Sequence, residues 1–180
     1  MKTHRIAVNR WTIRRARPGQ GEEIARLVRA SLPARVRRFT IWDSPQIGAL
    51  VESLLGGARA GEAHEFYLAR QGRRPAAAVA AFRLLDGQAF LNHLYVAPRF
   101  RGCRLGKRLL AAAARRYLAR HPAERIGLDV FAGAHPAEAW YARLGFEERA
   151  RRIWRTAGGR RLALSRRLEC DARVLVARSA

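Results

Sequence analysis

The sequence predicts a mixed α/β fold: a mostly antiparallel sheet of roughly six to seven strands with a central parallel pair, flanked by about four helices. Three observations carry that prediction. Residues Glu65 to Val96 have extended periodicity through Phe66 to Arg70, Ala76 to Leu85 and Gln88 to Val96, joined at Gln71-Gly72 and Asp86-Gly87. Asp-Gly is a strong tight-hairpin signal, so this run reads as an antiparallel meander. An amphipathic helix follows, with Leu105, Leu109, Leu110, Ala113 and Tyr117 on one face. His121-Pro122 ends it, and Ile126 to Phe131 supplies a fifth strand that the crossover rule sets parallel to the strand before the helix.

The other elements fit around this centre. Trp11 to Ala16 reads as the first strand, broken by Pro18-Gly19 before a helix from Glu22 to Leu32. Ile24, Leu27, Val28 and Leu32 mark the inward face of that helix, and Glu22 and Glu23 suit its first turn. Pro33 to Asp43 sets Arg35, Arg37 and Arg38 beside Phe39 and Trp42. Such interleaving can grip single-stranded nucleic acid, but a substrate-side loop with packed aromatics is the preferred reading. Ser44-Pro45 opens a second helix, with Ile47, Leu50, Val51, Leu54 and Leu55 inward and Gly56-Gly57 as its stop. Beyond the fifth strand, Ala137, Trp140, Tyr141 and Leu144 give a short helix its inward face, and Gly145 caps it. Phe146 to Arg155 and Arg160 to Leu168 form a closing hairpin around Gly158-Gly159, and Val174 to Val176 extends an edge or packs on a neighbour. No repeat or low-complexity linker interrupts this order, so the 180 residues are expected to form a single domain with a recognisable core at 11–168.

The formal charge is +22, and Lys2 and Lys107 are the only lysines, so arginine supplies nearly all of it. High Arg with high Ala also follows from a G+C-rich coding sequence. The positive field favours an anionic cofactor or partner and gives salt-sensitive, non-specific affinity for nucleic acid. Cys103 and Cys170 lie far apart, with no C-x-x-C pair or His-rich cluster. Neither a disulfide scaffold nor a metal site is expected. No apolar run has the length of a membrane span or secretory leader, which sets the expected compartment as the cytoplasm.

Residues Leu91 to Tyr117, L-N-H-L-Y-V-A-P-R-F-R-G-C-R-L-G-K-R-L-L-A-A-A-A-R-R-Y, carry the clearest chemistry. Strand, Pro98 exit, an arginine and glycine loop and a long helix occur in unbroken order. The loop is therefore a helix N-terminus, where free N–H groups converge and the macrodipole is positive. Arg99, Arg101, Arg104 and Lys107 add full charges, so the expected ligand is a polyanion such as a pyrophosphate.

This stretch resembles the acetyl-CoA-binding motif of the GNAT superfamily of N-acetyltransferases, Q/R-x-x-G-x-G/A. Arg101, Gly102, Cys103, Arg104, Leu105 and Gly106 occupy its frame, with Arg104 in place of the usual middle glycine. If Arg104 takes a positive φ, its side chain must turn to solvent. Residues 134–146 resemble the superfamily's second motif, N-x-x-A-x-x-F/Y-Y-x-x-x-G-F. Ala137, Trp140, Tyr141, Gly145 and Phe146 are in register, and Ala134 replaces the usual Asn. The resemblance implies that the parallel strands splay into a V, with the cofactor's pantetheine arm bonded to the main chain of Leu94, Tyr95 and Val96. It also puts Tyr141 at the family's proton-donor position, and a phenol with an ordinary pKa near 10 suits that role.

The base has several candidates. Asp129 stands in an apolar strand where some ribosomal-protein and peptide-terminus acetyltransferases of the superfamily carry a catalytic glutamate, yet it could equally pair with an arginine. His93 has a suitable intrinsic pKa and is expected to share a face with Leu91 and Tyr95, with Asn92 opposite. A water relay is the third route. The expected function is direct acetyl transfer from acetyl-CoA to a primary amine of a small-molecule or protein acceptor. The alternative is a basic nucleic-acid- or protein-binding module on a catalytically degenerate GNAT fold. The superfamily also makes a homodimer an option.

Overall fold

Turn chemistry and burial set the order of the strands. The computed structural model of the chain describes residues 11–33, 37, 40–131, 134–155 and 161–178. Its strands are β1 (Trp11–Arg15), β2 (Glu65–Gln71), β3 (Ala78–Leu85), β4 (Gln88–Val96), β5 (Arg125–Phe131), β6 (Glu147–Arg155) and β7 (Arg161–Asp171). They form one seven-stranded sheet in the order β1-β2-β3-β4-β5-β7-β6. Asp86 and Gly87 both have positive φ, 52° and 74°, as a two-residue hairpin matched to the sheet's twist requires. The meander is antiparallel, and β4 and β5 make the parallel pair. The Gly158-Gly159 turn lies outside the described residues, but β6 and β7 pair antiparallel on either side of it.

The helices are α1 (Gly21–Ser31), α2 (Ile47–Leu55), α3 (Leu105–Leu118), α4 (His135–Arg143) and α5 (Ala172–Arg178). One face of the sheet packs Tyr67, Phe82, Leu91, Ile126 and Leu128 against Leu105, Leu109, Leu110, Ala113 and Tyr117 of α3. The other face packs Phe66, Leu68 and Val79 against Ile24 and Val28 of α1 and Ile47 and Val51 of α2. Covering both faces explains why the first five residues of β2 and of β3 are buried without a break. Among the described residues no helix is long and apolar enough to cross a membrane.

The tail differs from an edge extension. Asp171 Oδ1 accepts the N–H groups of Arg173 and Val174 at 2.7 and 3.2 Å, which starts helix α5. Leu175 is then carried into the core beneath α3. A short apolar run has no period long enough to separate strand from helix, and the aspartate cap decides it.

The parallel pair is brief. Ala89, Phe90 and Leu91 align with Ile126, Gly127 and Leu128, and pairing stops there. At this point β4 also breaks register with β3, because Phe82 faces Leu91 and Ala81 faces His93, so Asn92 is an extra residue. Such a bulge bends a strand and inverts its alternation. Leu91 points toward α3, and beyond the bulge Leu94 and Val96 do so. His93 and Tyr95 therefore face the α1 side with Trp42, which corrects the expectation that His93 and Leu91 share a face.

At the opposite end of the sheet, Glu65 is only 3% exposed. It takes hydrogen bonds from Arg120 Nε at 3.0 Å and from the Tyr67 hydroxyl, with Arg15 and His121 at 3.5 and 3.3 Å. This ties β1 and β2 to the end of α3. Burial alone would raise the Glu65 carboxyl, but the Arg120 and Tyr67 hydrogen bonds and the charges of Arg15 and Arg120 hold it below its ordinary value. Because the folded-state value is the lower one, the stabilisation is complete above the ordinary value of 4.5 and is lost as pH falls through the depressed one. Glu65→Gln should cost about 3 kcal/mol at pH 7, with a smaller cost at pH 3 in parallel urea titrations. An equal cost at both pH values would remove the carboxylate charge from this account.

Candidate active site

The site begins where β4 loses its β5 partner. On its other edge β4 still pairs with β3, Leu94 with Ala80, Tyr95 with Val79 and Val96 with Ala78. Main-chain groups of Asn92 to Val96 on the β5 side are left facing a fork. Beyond it, Pro98–Phe100 makes one 3-10 turn, and the loop reaches α3 through Gly102, whose φ of 78° a side chain rarely adopts. Arg108 N–H donates to Arg104 C=O at 3.1 Å as α3 begins, and no side chain caps that end. The N–H groups of Leu105, Gly106 and Lys107 thus have no earlier turn of helix to bond. A Cβ on Gly106 would lie 3.4 Å from Val96 Cγ2 and 3.9 Å from Trp140, so the loop, the β4 arm and α4 converge at this residue.

Arg104 occupies the left-handed region, at φ 61°, and its side chain is exposed. Its place in the motif does call for a positive φ. Arg101, by contrast, turns inward. Its Nε donates to Val96 C=O at 3.1 Å and its Nη2 to Ser31 C=O at 2.7 Å. The side chain braces the loop against β4 and the end of α1 while leaving its charge at the loop. The Cys103 thiol donates to Phe100 C=O at 2.9 Å, which gives it a structural place inside the turn.

Tyr141 lies on α4, with Trp140 and Phe146 edge-on at 5.0 and 5.4 Å between ring centres. Burial, reinforced by Tyr95, pushes its phenol above the ordinary value of 10, so it keeps its proton throughout the neutral range. Tyr95 is itself raised to about 12 by burial. Asp129 stands one residue past Leu128, the last position of β5 paired with β4. Leu128 and Val130 belong to the α3-side core, so Asp129 projects to the opposite face. Arg167 of β7 holds it in a bidentate pair, Nε to Oδ1 at 2.7 Å and Nη2 to Oδ2 at 3.2 Å. His93 packs on Trp42 at 4.9 Å and Tyr95 at 6.0 Å. Burial pushes His93 down to about 4, with His64 and Arg83 adding to the effect, so it is neutral at pH 7.

Leu94, Tyr95, Val96 and residues 101–106 therefore gather around one fork, with Tyr141 on the α3 side and His93 on the other. Trp42 is 2% exposed and packs on His93 and Tyr95, so this aromatic of the loop is packed; Arg35, Arg38 and Phe39 lie outside the described residues. Sequence reading missed Arg167 and Ser31, because both meet their partners across long separations and carry no motif. Among the described residues, no group of three or more His, Cys, Asp and Glu is placed to hold a metal ion.

Residues 31–146 match the model of the family described as "Acetyltransferase (GNAT) family". A comparison with curated protein sequences gave no match. Among solved structures, the ribosomal-protein-S18-alanine N-acetyltransferase of Escherichia coli is similar at TM-score 0.66 and 20% identity, over 90% of this chain and 94% of that one. The spermidine N-acetyltransferase of Vibrio cholerae, in complex with CoA and spermine, gives 0.71 and 14%, over 93% and 98%. The paia N-acetyltransferase of Thermoplasma acidophilum, in complex with coenzyme A, gives 0.66 and 15%, over 89% and 98%. At these identities the likeness is one of fold.

The strain at Arg104 is measurable. Arg104→Gly relieves a left-handed side chain but adds unfolded-chain entropy, for a net gain of about 0.5–1 kcal/mol. Urea unfolding of the two proteins checks this; an unchanged or lowered midpoint would mean that the loop accepts arginine without strain.

Proposed function

Because the chain belongs to the GNAT acetyltransferase family, we propose that it is an acetyl-CoA-dependent N-acetyltransferase that passes acetyl directly to a primary amine of a small-molecule or protein acceptor. One observation carries the reading: an opened parallel pair ends at an uncapped, arginine-rich helix start beside a partly buried phenol that keeps its proton. The residues present fit coenzyme A, since the loop offers N–H groups and positive charge to a pyrophosphate and the fork offers unpaired main chain to an amide-bearing arm.

In this reading the N–H groups of Gly102, Cys103, Arg104, Leu105 and Gly106 hold the pyrophosphate, and Arg101 fixes the loop that presents them. The main chain of Leu94, Tyr95 and Val96 aligns the pantetheine arm. Bound acetyl-CoA supplies an acetyl thioester already activated for transfer to an amine. The Val96 N–H orients and polarises the thioester carbonyl. Tyr141 holds a proton on Oη for the departing sulfur. We assign the base to Asp129, set just beyond the last β5 residue paired with β4 and oriented by Arg167. His93, whose conjugate acid burial lowers to about 4, is a weaker acceptor of the amine proton than an ordinary imidazole. Two unlinked cysteines suit a reducing cytoplasm.

Calorimetric titration with acetyl-CoA at low and high salt tests the reading. Saturable one-to-one binding that survives the higher salt is expected. Binding that vanishes with modest salt would reduce the loop to a basic surface and turn attention to nucleic acid. With an amine found by screening for CoA release, Tyr141→Phe should keep acetyl-CoA affinity and lose about 10²- to 10⁴-fold in turnover. Undiminished turnover would remove Tyr141 from the mechanism.

A further inference from the structure

The transferase reading leaves the acceptor amine one side of the fork to enter from. Tyr141 packs on the α3 side, and Asp129 faces the opposite side with Arg167. The charge on that side decides which amines approach it. All 14 carboxylates of the chain lie among the described residues. On the Asp129 side Arg167 holds Asp129, His64 and Arg83 hold Glu62, Arg125 holds Glu169, and Arg149 holds Glu147. Asp86 and Glu124 precede β4 and β5, at the end of the sheet away from the fork. No free carboxylate therefore faces an incoming amine except through an arginine. The cations are in surplus: Arg152 of β6 is exposed and meets no carboxylate among the described residues. The Arg83 and Arg167 guanidinium groups both stand over the Phe90 ring, at 5.6 and 4.6 Å.

Strand register puts Arg152 on the same face as Asp129. Arg152 pairs with Ser165, Ser165 pairs with Phe131, and Phe131 stands two residues past Asp129. Phe131 is 44% exposed and gives the path from Asp129 toward Arg152 an apolar surface. Two strand spacings across and two residues along set the Cα atoms of Asp129 and Arg152 about 12 Å apart, roughly the span of three extended residues. A polyamine would bring further positive charge to a side that holds no carboxylate to receive it. An amine that carries its own carboxylate uses both ends of this face. We infer that the acceptor is such an acidic primary amine, resting the inference on the transferase reading: the amine lies at Asp129, an apolar stretch lies along Phe131, and the carboxylate lies on Arg152. In the transfer the amine nitrogen forms the new C–N bond as the thioester C–S bond breaks. Asp129 takes the amine proton and Tyr141 gives one to the sulfur.

Release of CoA from acetyl-CoA by the full chain tests this, with four acceptors: the tripeptides Ala-Glu-Glu and Ala-Gln-Gln, glutamate and spermidine. Ala-Glu-Glu should exceed Ala-Gln-Gln about tenfold or more in kcat/KM, chiefly through KM, and spermidine should be the slowest. Arg152→Gln should bring the ratio of the two peptides close to one. Arg173→Ala, a charge removed on exposed α5, should leave that ratio unchanged. Glutamate used as well as Ala-Glu-Glu, or better, identifies a small aminocarboxylate as the acceptor, whereas preference for the tripeptide identifies a peptide terminus. Equal use of the two peptides, faster use of spermidine, a ratio that survives Arg152→Gln, or turnover of none of the four overturns the inference. Acetyl-CoA binding that persists in those cases leaves the transferase reading standing, and its absence removes that reading as well.

Discussion

Everything at the candidate site depends on β4 and β5 pairing for three residues and no more. A longer ladder would satisfy the main chain of Leu94 to Val96 and leave nothing for a ligand to bond. The extra residue at Asn92 prevents that ladder: it bends β4 and rotates its side chains by one position. The rotation sends Leu94 and Val96 into the α3-side core and His93 and Tyr95 toward Trp42. One inserted residue thereby opens the cleft and fixes which groups line each of its sides.

Charge is distributed with a direction. Most carboxylates are spent on internal bonds: Glu52 receives Gly19 and Gly21 N–H at the start of α1, Glu65 binds Arg120, and Asp129 binds Arg167. Arg74, Arg99 and Arg104, all near the loop between β4 and α3, meet no carboxylate among the described residues. These charges form part of the +22 of the whole chain and stand unneutralised beside the loop. Arginine abundance can come from coding bias, but pairing in the folded chain decides which of those charges remain available.

Much of the fold was legible because it rests on local rules. Asp86-Gly87 dictates its turn, the Leu105 to Tyr117 stripe dictates α3, and the crossover makes β5 parallel to β4. The loop was legible for the same reason, since a strand, a proline and glycines before a helix occur in sequence order. The bulge at Asn92 was not, because an extra residue shows only against the register of β3. Nor was the α5 cap, where one aspartate outweighs a run too short to declare a period. Asp129 could be narrowed to a base or an ion-pair partner, and only the fold supplies Arg167, 38 residues away.

Arg101 shows how one residue can satisfy a motif in a way the motif does not state. A sequence frame reads it as a charge beside phosphate, and its charge does remain at the loop. Its hydrogen bonds, however, go to Val96 C=O at the tip of the β4 arm and to Ser31 C=O at the end of α1. The first fixes the spacing between the fork and the loop, so the two are held in a single frame. The second anchors that frame to the helix that borders the Trp42 side. A lysine would keep the charge but lacks the forked donors needed to reach both carbonyls at once. An arginine at this position therefore supplies geometry as well as charge. The left-handed Arg104 three residues later is tolerated because the loop on either side of it is held, by Arg101 on one side and by the buried Leu105 on the other.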